Sequence, residues 1–323
     1  MKLNWGLIGC GDISRKRVAP ALRDLKSCRF IGVSRAKKEL ARSFAQEFGA
    51  EKWYGEYREL LQDEDIQAVY IATPPFLHAE QVVAAAEAGK HIICEKPMAM
   101  GTGECDRMME ACRANDVKLS IAYYRHLYPL FDRIKEILKS GEIGTIILSQ
   151  INAFEYFDPG VEESRTWLFN KEKAGGGPMM DFGCHRIEVL LNLFGAVKRT
   201  VGVVCNVFFD REVEDLATAL FQFENGSRGV LTVTTAAYES KDTLDIYGSR
   251  GSIHVPLLNR GRATIITEDE ERNEDYPPHA NFHQPYIEAV THAILTDSEM
   301  PVDGETGLAV AQLEEEIYGA QEG

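Results

Sequence analysis

The chain has 323 residues, 45% of them hydrophobic and 26% charged, which is enough for about two globular domains with cores of their own. Thirty-five Lys and Arg residues against 50 Asp and Glu residues give a formal net charge of −15. Such an acidic molecule repels phosphate backbones and anionic lipid headgroups, which argues against nucleic acid and membrane surfaces as partners. The sequence shows no apolar run long enough for a membrane span and no secretory leader, so we expect a cytoplasmic protein.

The seven cysteines are odd in number and scattered along the chain, mostly in apolar or helical surroundings. They are Cys10, Cys28, Cys94, Cys105, Cys112, Cys184 and Cys205. This usage indicates reduced, buried thiols rather than a disulfide framework. None forms a Cys-x-x-Cys pair or has zinc-finger spacing to a histidine pair, so we expect no bound metal.

The first 122 residues alternate short apolar runs with helical stretches, the pattern of a parallel sheet covered on both faces by crossover helices. The predicted strands are residues 3–8, 29–34, 68–72, 91–94 and 118–122. Two of the intervening helices, 79–88 and 103–114, are closed by Gly89 and Asn115. The pattern predicts an α/β N-terminal Rossmann domain, with a doubly wound parallel sheet, over residues 1–122.

Beyond a predicted helix at 130–139, several segments are rich in Val, Ile, Thr, Phe and Tyr, and some alternate with period two. These segments are 145–156, 198–209, 215–224, 228–237 and 243–248. The Asn225-Gly226 dipeptide between two of them is a strong signal for a tight hairpin. The segments therefore predict a largely antiparallel sheet.

A helix that starts at Met179 or Met180 and is ended by Gly195 interrupts these strands. The acidic stretch 268–275 is interpreted as a solvated loop or a sheet edge. We therefore predict that residues 123–323 form an α+β C-terminal domain with a large, mostly antiparallel open sheet, for substrate binding and oligomerisation.

Residues 6–14 read Gly-Leu-Ile-Gly-Cys-Gly-Asp-Ile-Ser, a Gly-x-Gly-x-x-Ser turn between the first predicted strand and a helix. Gly9 permits the tight turn, Gly11 lets the backbone approach a pyrophosphate, and the helix start offers free N–H groups. Asp12 and Ile13 belong to the same turn, whereas Ser14 replaces the third glycine of the usual fingerprint. The position of this turn at the first strand-to-helix junction indicates that it binds a dinucleotide.

The end of the second strand predicts which dinucleotide binds, because an acidic residue there accepts hydrogen bonds from the ribose 2′-hydroxyl of NAD. This chain instead has Ser34 and Arg35, with Lys37 and Lys38 close behind. A hydroxyl followed by a guanidinium suits a dianionic 2′-phosphate, so NADP is favoured and NAD is the second choice. The alternative is that these basic residues are only the solvated first turn of the next helix.

Two further strings carry groups suited to chemistry. Cys-Glu-Lys-Pro at 94–97 follows the strand at 91–94, at the carboxyl edge where doubly wound sheets bind ligands. Gly-Gly-Gly-Pro-Met-Met-Asp-Phe-Gly-Cys-His at 175–185 places Asp181 and His185 four residues apart, which puts both on one face of a helix.

Together with the glycine turn, these strings resemble the glucose–fructose oxidoreductase, inositol dehydrogenase and rhizopine-catabolism (Gfo/Idh/MocA) family of nicotinamide-dependent oxidoreductases. The resemblance covers nearly the whole chain. It includes Val-Tyr-Ile-Ala-Thr-Pro-Pro-Phe-Leu-His at 69–78 and Pro-Val-Asp-Gly-Glu-Thr-Gly-Leu at 301–308. Four elements in the family's order are far more specific than any one of them.

The resemblance also implies the roles of individual residues. The lysine of Glu-Lys-Pro and the histidine of Asp-x-x-x-His act at the carbinol in that family, and they correspond to Lys96 and His185. Asp181 corresponds to the aspartate of Asp-x-x-x-His, and Glu95 is expected near the nicotinamide ribose. The peptide bond that corresponds to the one between Lys96 and Pro97 is often cis in the family. We further expect cofactor contacts from Thr73, Pro74 and His78, and substrate contacts from Arg125 and Trp167.

The chain departs from the family's pattern in two places. Trp167 is followed by Leu168 where many members have Trp-Arg, so that arginine's contact is lost or is taken over by Arg165. The acidic residue common at the end of the second strand is absent, as in members that resemble the NADP users.

Elementary chemistry agrees with these roles. Hydride transfer at a carbinol requires a proton to move to or from the oxygen, and imidazole titrates near neutral pH. A lysine ammonium can stabilise a developing alkoxide, and a carboxylate can orient the imidazole. We therefore expect His185 as proton donor or acceptor, Lys96 as partner of the reacting oxygen and Asp181 as orienting group. Whether Lys96 or His185 moves the proton is left open.

The leading interpretation is an NADP-dependent oxidoreductase that acts on a secondary alcohol or carbonyl of a sugar, sugar derivative, cyclitol or dihydrodiol. One alternative is a cofactor-binding regulatory protein without turnover, against which the presence of Lys96, Asp181 and His185 argues. Another is a glycoside hydrolase that oxidises its sugar transiently with a bound dinucleotide. The open face of the second sheet predicts a homodimer or homotetramer.

Overall fold

The protein is described here by a computed structural model that covers residues 1–159 and 166–319. Its contacts divide the chain into two compact units. The first consists of Met1–Tyr124 and His279–Ala311, and the second of the described residues of Arg125–Pro278 and Gln312–Gly323. This division differs from a single boundary after residue 122, because a late segment of the chain returns to the first unit.

The first unit is built on a six-stranded sheet in which every neighbouring pair is parallel. Its strands are β1 (Leu3–Ile8), β2 (Cys28–Ser34), β3 (Lys52–Tyr54), β4 (Ala68–Ile71), β5 (His91–Cys94) and β6 (Leu119–Ile121). They lie in the order β3-β2-β1-β4-β5-β6, so the direction of winding reverses between β1 and β4. The predicted doubly wound sheet is confirmed, and ligands of such sheets bind at the carboxyl edge beside this reversal.

The second unit is built on an eight-stranded, mostly antiparallel sheet, as predicted. Its strands are β7 (Ile146–Tyr156), β8 (Val197–Cys205), β9 (Leu216–Phe223), β10 (Arg228–Thr234), β11 (Ala236–Gly248), β12 (Gly251–Val255), β13 (Arg262–Thr267) and β14 (Glu271–Asp275). The order is β14-β13-β12-β11-β7-β10-β9-β8, and only β7 and β10 run parallel. The predicted hairpin joins β9 to β10, and Gly226 has the positive φ of 90° that this turn demands.

The described residues contain ten α-helices. They are α1 (Ala19–Asp24), α2 (Lys38–Phe48), α3 (Tyr57–Leu61), α4 (His78–Glu87), α5 (Thr102–Ala114), α6 (Pro129–Ser140), α7 (Lys171–Ala174), α8 (Cys184–Phe194), α9 (Gln284–Leu295) and α10 (Gly304–Gly319). Segments with π-type hydrogen bonding, Ser14–Val18 and Met179–Gly183, lead into α1 and α8. In α2 the buried residues Phe44 and Phe48 lie one turn apart, and Gly49 ends the helix in the left-handed conformation.

Two predicted strands have different bounds because side chains redirect the backbone. The segment 198–209 ends as a strand at Cys205, since the Asp215 carboxylate accepts hydrogen bonds from the backbone N–H groups of residues 207–209 at 2.7–3.0 Å. The segment 228–237 is broken at Thr234, whose hydroxyl oxygen accepts a hydrogen bond from the next strand's first N–H at 3.0 Å. The acidic stretch 268–275 forms the edge strand β14.

The return of residues 279–311 to the first unit rests on buried contacts with β6. The Tyr286 hydroxyl donates a hydrogen bond to the carbonyl of Ile121 at 2.6 Å, and the Ser120 hydroxyl bonds the carbonyl of Val302. Helix α9, which carries Tyr286 and Val290 in its buried face, also packs against α1. Sequence periodicity predicts an apolar helix face but not the sheet that the face covers.

All seven cysteines are free thiols, six of them buried and Cys205 partly exposed. Within residues 1–159 and 166–319, no group of three or more His, Cys, Asp or Glu side chains is placed to hold a metal ion. None of the helices in this part of the chain combines the length and the apolar character needed to cross a membrane.

Candidate active site

The glycine turn after β1 has the geometry that the sequence predicts. Gly9 has a φ of 97°, and a Cβ atom there would lie 2.7 Å from the carbonyl oxygen of Ala72. Its N–H donates to the carbonyl of Ser34 at 3.1 Å, and its own carbonyl accepts from the Ser14 hydroxyl at 2.8 Å. Gly9 is therefore required by the protein's own packing, because it ties the ends of β1, β2 and β4 together.

Gly11 is different, because apart from its two chain neighbours no described residue comes within 4 Å of the position that a Cβ atom would take. The open space lies at the start of the helical segment, where backbone N–H groups have no helical partner. Asp12 is exposed and pairs with Lys16 at 2.6 Å, and Ile13 is partly exposed. The turn therefore leaves room for a phosphate group that approaches the backbone, which fits a dinucleotide.

At the end of β2 the structure separates the two residues predicted to hold a 2′-phosphate. Ser34 is only 2% exposed, so its hydroxyl is not the accessible phosphate ligand that we expected. Arg35 and Lys38 are exposed. Burial raises the pKa of the neighbouring Cys10 thiol to about 12, and the positive charges of Arg35 and Arg15 act against this rise.

A buried histidine fixes the loop after β4 by hydrogen bonds to the backbone. His78 is fully buried at the start of α4, with Nε2 2.8 Å from the carbonyl of Thr73 and Nδ1 3.0 Å from the carbonyl of Pro97. Burial lowers its pKa. His78 thereby joins two loops, and its expected direct contact with a cofactor stays a prediction. Thr73 and Pro74 remain partly exposed at the carboxyl edge.

The Glu-Lys-Pro string lies directly after β5, and the peptide bond between Lys96 and Pro97 is cis. Lys96 is half-buried. Glu95 is nearly buried: its Oε1 accepts the Tyr70 hydroxyl at 2.7 Å and lies 3.4 Å from His283 Nε2. Burial by itself raises the pKa of this carboxyl, but the neighbouring His283, Lys96 and Tyr70 outweigh burial and hold the pKa below its usual value.

In the second unit, Asp181 and His185 share one continuous helical run, as predicted. Asp181 is half-buried in the π-type segment Met179–Gly183, and His185 is nearly buried in the first turn of α8. Farther along α8, the fully buried Glu188 has its Oε1 2.6 Å from His126 Nδ1. Burial raises the pKa of Glu188, and the bond with His126 opposes this.

The two residues predicted to contact the substrate have different surroundings. Arg125 is 4% exposed: its Nε donates to the Asn259 side chain at 3.2 Å, and its guanidinium lies 3.8 Å from Asp242. The guanidinium is thus held inside the unit, and its expected contact with the substrate stays a prediction. Trp167 is partly exposed in a short turn, and Arg165 lies outside the described residues.

A small, partly open pocket lies beside Asp181 in the second unit. Apolar side chains such as Phe157, Phe169 and Val213 form much of its wall, together with the polar groups of Asp181 and Glu214. Concave sites with a largely apolar wall and a few convergent polar groups are typical of small-molecule binding.

The structure thus brings the glycine turn, Arg35, Thr73 and Lys96 to the carboxyl edge of one sheet, and Asp181 and His185 to one helix of the other unit. Sequence reasoning missed His283, which lies 3.4 Å from Glu95, and Glu214, which accepts hydrogen bonds from the backbone of Gly177 and Met179. Neither residue belongs to a sequence motif from which its partner could be predicted. The available signals were weak: His283 is an isolated histidine late in the chain, and Glu214 is the first of two acidic residues before a strand.

Comparison with known proteins agrees with this architecture. Residues 3–123 match the family model described as oxidoreductase family, NAD-binding Rossmann fold, and residues 131–254 match the one described as GFO/IDH/MocA C-terminal domain. The fold and the glycine turn define the class of two-domain oxidoreductases with a dinucleotide-binding domain. The chain belongs to the Gfo/Idh/MocA family.

Three similar proteins illustrate the relationship. An oxidoreductase named P35 of Formosa agariphila is 29% identical, over 98% of this chain and 99% of its own. Levoglucosan dehydrogenase of Pseudarthrobacter phenanthrenivorans is 30% identical, over 78% of this chain and 73% of its own. A solved structure of levoglucosan dehydrogenase in complex with NADH and levoglucosan superposes with a TM-score of 0.89 at 26% identity, covering 100% of this chain and 98% of that one.

Proposed function

We propose that this protein is an NADP-linked dehydrogenase that acts on a secondary alcohol or carbonyl of a sugar, sugar derivative, cyclitol or dihydrodiol. The observation that carries the proposal is the shared edge of the first sheet. The glycine turn, which has open space at Gly11, follows the carboxyl end of β1. The half-buried ammonium of Lys96 follows the carboxyl end of β5. This is the arrangement that such sheets use to bind a dinucleotide beside its reactive end.

The preference for NADP is supported by the charges that follow β2. Arg35 and Lys38 are exposed there, and the second strand ends without a carboxylate that would repel a 2′-phosphate. A guanidinium can hold two oxygens of a phosphate at once, which an ammonium cannot. When bound, the nicotinamide group supplies or accepts the hydride.

The proton chemistry is proposed for three side chains. Lys96 donates a hydrogen bond to the reacting oxygen and stabilises negative charge there. His185 gives or takes the proton, because imidazole changes charge in the neutral range. Asp181, one helical turn before His185, orients the imidazole. A regulatory protein without turnover does not require these three groups, so their presence favours an enzyme.

The substrate class rests on the family and on the pocket. A relative that covers most of this chain is named for the dehydrogenation of levoglucosan, a sugar derivative. The pocket beside Asp181 combines apolar walls with the carboxylate of Asp181, which can accept hydrogen bonds from hydroxyl groups. A small polyol or its carbonyl form matches this lining.

We also propose that a second copy of the chain covers the open face of the eight-stranded sheet. Val201, Val203 and Leu220 are between 44% and 57% exposed on this face. An apolar strip of this kind is typical of an interface in a homodimer or homotetramer.

A substrate panel of aldoses, ketoses, inositols and diols, run with NADP and NAD in parallel, tests the function. Turnover of at least one member, faster with NADP, is expected. Lys96→Met and His185→Ala should each lower kcat about a hundred-fold or more while the dissociation constant of NADPH stays unchanged. A variant that keeps near-normal turnover contradicts the role of that residue.

Two outcomes of the same panel separate the alternatives. NADPH binding without any turnover supports a regulatory protein, and release of a leaving group without net absorbance change at 340 nm supports a hydrolase. For the cofactor, Arg35→Ala should raise the KM for NADP about ten-fold and leave that for NAD unchanged, with Lys37→Ala as the matched control. An unchanged ratio of the KM for NADP to the KM for NAD in Arg35→Ala would mean that Arg35 does not bind the 2′-phosphate.

A further inference from the structure

The three consecutive glycines before Asp181 fold into a turn with very little space around it. Gly175 ends α7 with a φ of 81°. A Cβ atom at Gly176 would lie 2.1 Å from the Tyr318 hydroxyl, and one at Gly177 would lie 2.1 Å from the backbone carbonyl of Glu214. The turn is therefore packed against these two residues so closely that only glycine fits.

A single carboxylate holds this turn from outside. Glu214 Oε2 accepts a hydrogen bond from the N–H of Gly177 at 2.7 Å, and Oε1 accepts one from the N–H of Met179 at 3.2 Å. The Tyr318 hydroxyl donates to Oε1 at 2.8 Å. Both carboxylate oxygens of Glu214 are thus engaged by donors, and the side chain is 8% exposed.

The same turn begins the helical run that carries the proposed proton-transfer groups. The carbonyl of Gly177 accepts a hydrogen bond from the N–H of Asp181 at 3.0 Å, while Pro178, which precedes the π-type segment, has no capping side chain of its own. The first N–H groups of a helix have no helical partner and need an acceptor. Glu214 accepts from the N–H of Met179, the first residue of the π-type segment, and a negative charge at this end of a helix is favourable.

The residue after Glu214 holds a different segment of the chain. This residue, Asp215, accepts hydrogen bonds from the N–H groups of residues 207–209, and its carbonyl accepts from the Thr234 hydroxyl at 2.7 Å. Two adjacent carboxylates therefore serve two different segments: Glu214 holds the glycine turn and Asp215 holds the loop after β8. This gives a matched pair for an experiment.

We propose that Glu214, supported by Tyr318, is a positioning residue that caps the Asp181–His185 helix from another part of the chain and thereby fixes the orientation of both groups in the reaction. The inference rests on the proposed function for its kinetic consequence. Its structural consequence, an ordered turn at residues 177–183, is independent of that function. Glu214 does not touch the reacting atoms in this proposal.

The test compares Glu214→Gln with Asp215→Asn in the full chain. Gln keeps the size of the side chain but presents an amide group to one of the backbone N–H donors. We expect kcat to fall about ten- to hundred-fold in Glu214→Gln, with the NADPH dissociation constant unchanged, because a small misplacement of a reacting group is costly. Asp215→Asn should lose thermal stability and keep its kcat. Equal kcat losses in both variants would overturn the proposal.

Hydrogen exchange gives a readout that does not need activity. Amide exchange at Gly177, Met179 and Asp181 should become about ten-fold faster in Glu214→Gln and stay unchanged in Asp215→Asn, which should instead accelerate exchange at residues 207–209. Unchanged exchange at the glycine turn overturns the positioning role. Faster exchange in a protein without any turnover leaves the capping role intact and refutes the proposed function instead.

If Glu214→Gln does not fold, Tyr318→Phe provides the second variant. It removes one donor to Glu214 and leaves both backbone hydrogen bonds in place. We expect a smaller fall in kcat and faster exchange confined to the same turn. Wild-type kinetics together with wild-type exchange in this variant would remove Tyr318 from the proposal.

Discussion

Gly9 and Gly11 are two residues apart, yet the structure gives them different tasks. Gly9 adopts a backbone conformation that L-residues avoid and lies against the carbonyl of Ala72. Gly11 has no positive φ, and apart from its two chain neighbours no described residue comes within 4 Å of a Cβ position. A glycine that the fold does not require is best explained by a ligand that approaches the backbone.

This contrast predicts opposite results for two alanine substitutions. Gly9→Ala should lower the free energy of unfolding by on the order of 2–4 kcal/mol, because the new methyl group meets a carbonyl and φ is unfavourable. Gly11→Ala should leave the free energy of unfolding within about 1 kcal/mol and weaken NADPH binding about ten-fold or more. Urea titration and fluorescence titration with NADPH measure the two effects. A Gly11→Ala protein with normal affinity would contradict the dinucleotide assignment of this turn.

At the scale of elements, one carboxylate joins a helix to the edge of the large sheet. Glu274 on β14 accepts hydrogen bonds from Arg133 on α6 at 2.8 and 3.1 Å, and from Arg272 at 2.8 Å. The hydrogen bonds from Arg133, more than any other cause, lower the pKa of Glu274 to about 2. The edge strand is short and charged, so its pairing depends on these contacts more than on apolar burial.

The lowered pKa predicts how stability depends on pH. Ionised Glu274 stabilises the folded state above its unfolded pKa, and this stabilisation is lost as pH falls toward 2. Glu274→Gln should therefore cost on the order of 2 kcal/mol of unfolding free energy at pH 7 and clearly less at pH 3. Urea unfolding at both pH values measures this, with Glu271→Gln, exposed on the same strand, as control. An equal loss at both pH values would show that the charge of Glu274 is not the cause.

At the scale of the whole molecule, the large sheet has one face that remains open in the described residues of its unit. Across neighbouring strands, Val201 pairs with Leu220 and Leu220 pairs with Val230, which makes a continuous apolar row. On the same sheet, His254 lies 2.7 Å from Asp245 and 2.8 Å from Ser252, so polar side chains adjoin the apolar row. Interfaces between like subunits combine an apolar centre with satisfied polar groups in this way.

We therefore expect sedimentation at micromolar concentration to give two or four protomers per particle. Leu220→Arg should weaken this association about a hundred-fold or more, because it places an unpaired charge in the centre of the apolar row. Leu40→Arg, on an exposed position of α2, is the control and should associate normally. A wild-type protein that sediments only as the protomer would refute the interface.

Much of this protein follows from short-range sequence patterns. Alternating apolar runs and caps predict the doubly wound sheet, and the Asn225-Gly226 dipeptide predicts a hairpin of the second sheet. Spacing puts Asp181 and His185 on one helix. Each of these features depends on residues a few positions apart, so the local chain carries the whole signal. The glycine turn likewise belongs to a single strand-to-helix junction, although only the structure separates the task of Gly9 from that of Gly11.

Only the tertiary structure shows the contacts between residues that lie far apart in the sequence. His78 and Arg125 have the chemistry of ligands, and the structure shows both side chains buried and engaged in internal hydrogen bonds. Glu214 reaches Gly177 across 37 positions, and the helix α9 returns to the first unit after the eight strands of the second. Periodicity specifies that a face is apolar or that a donor needs an acceptor, but packing and the exclusion of water decide which distant partner satisfies it.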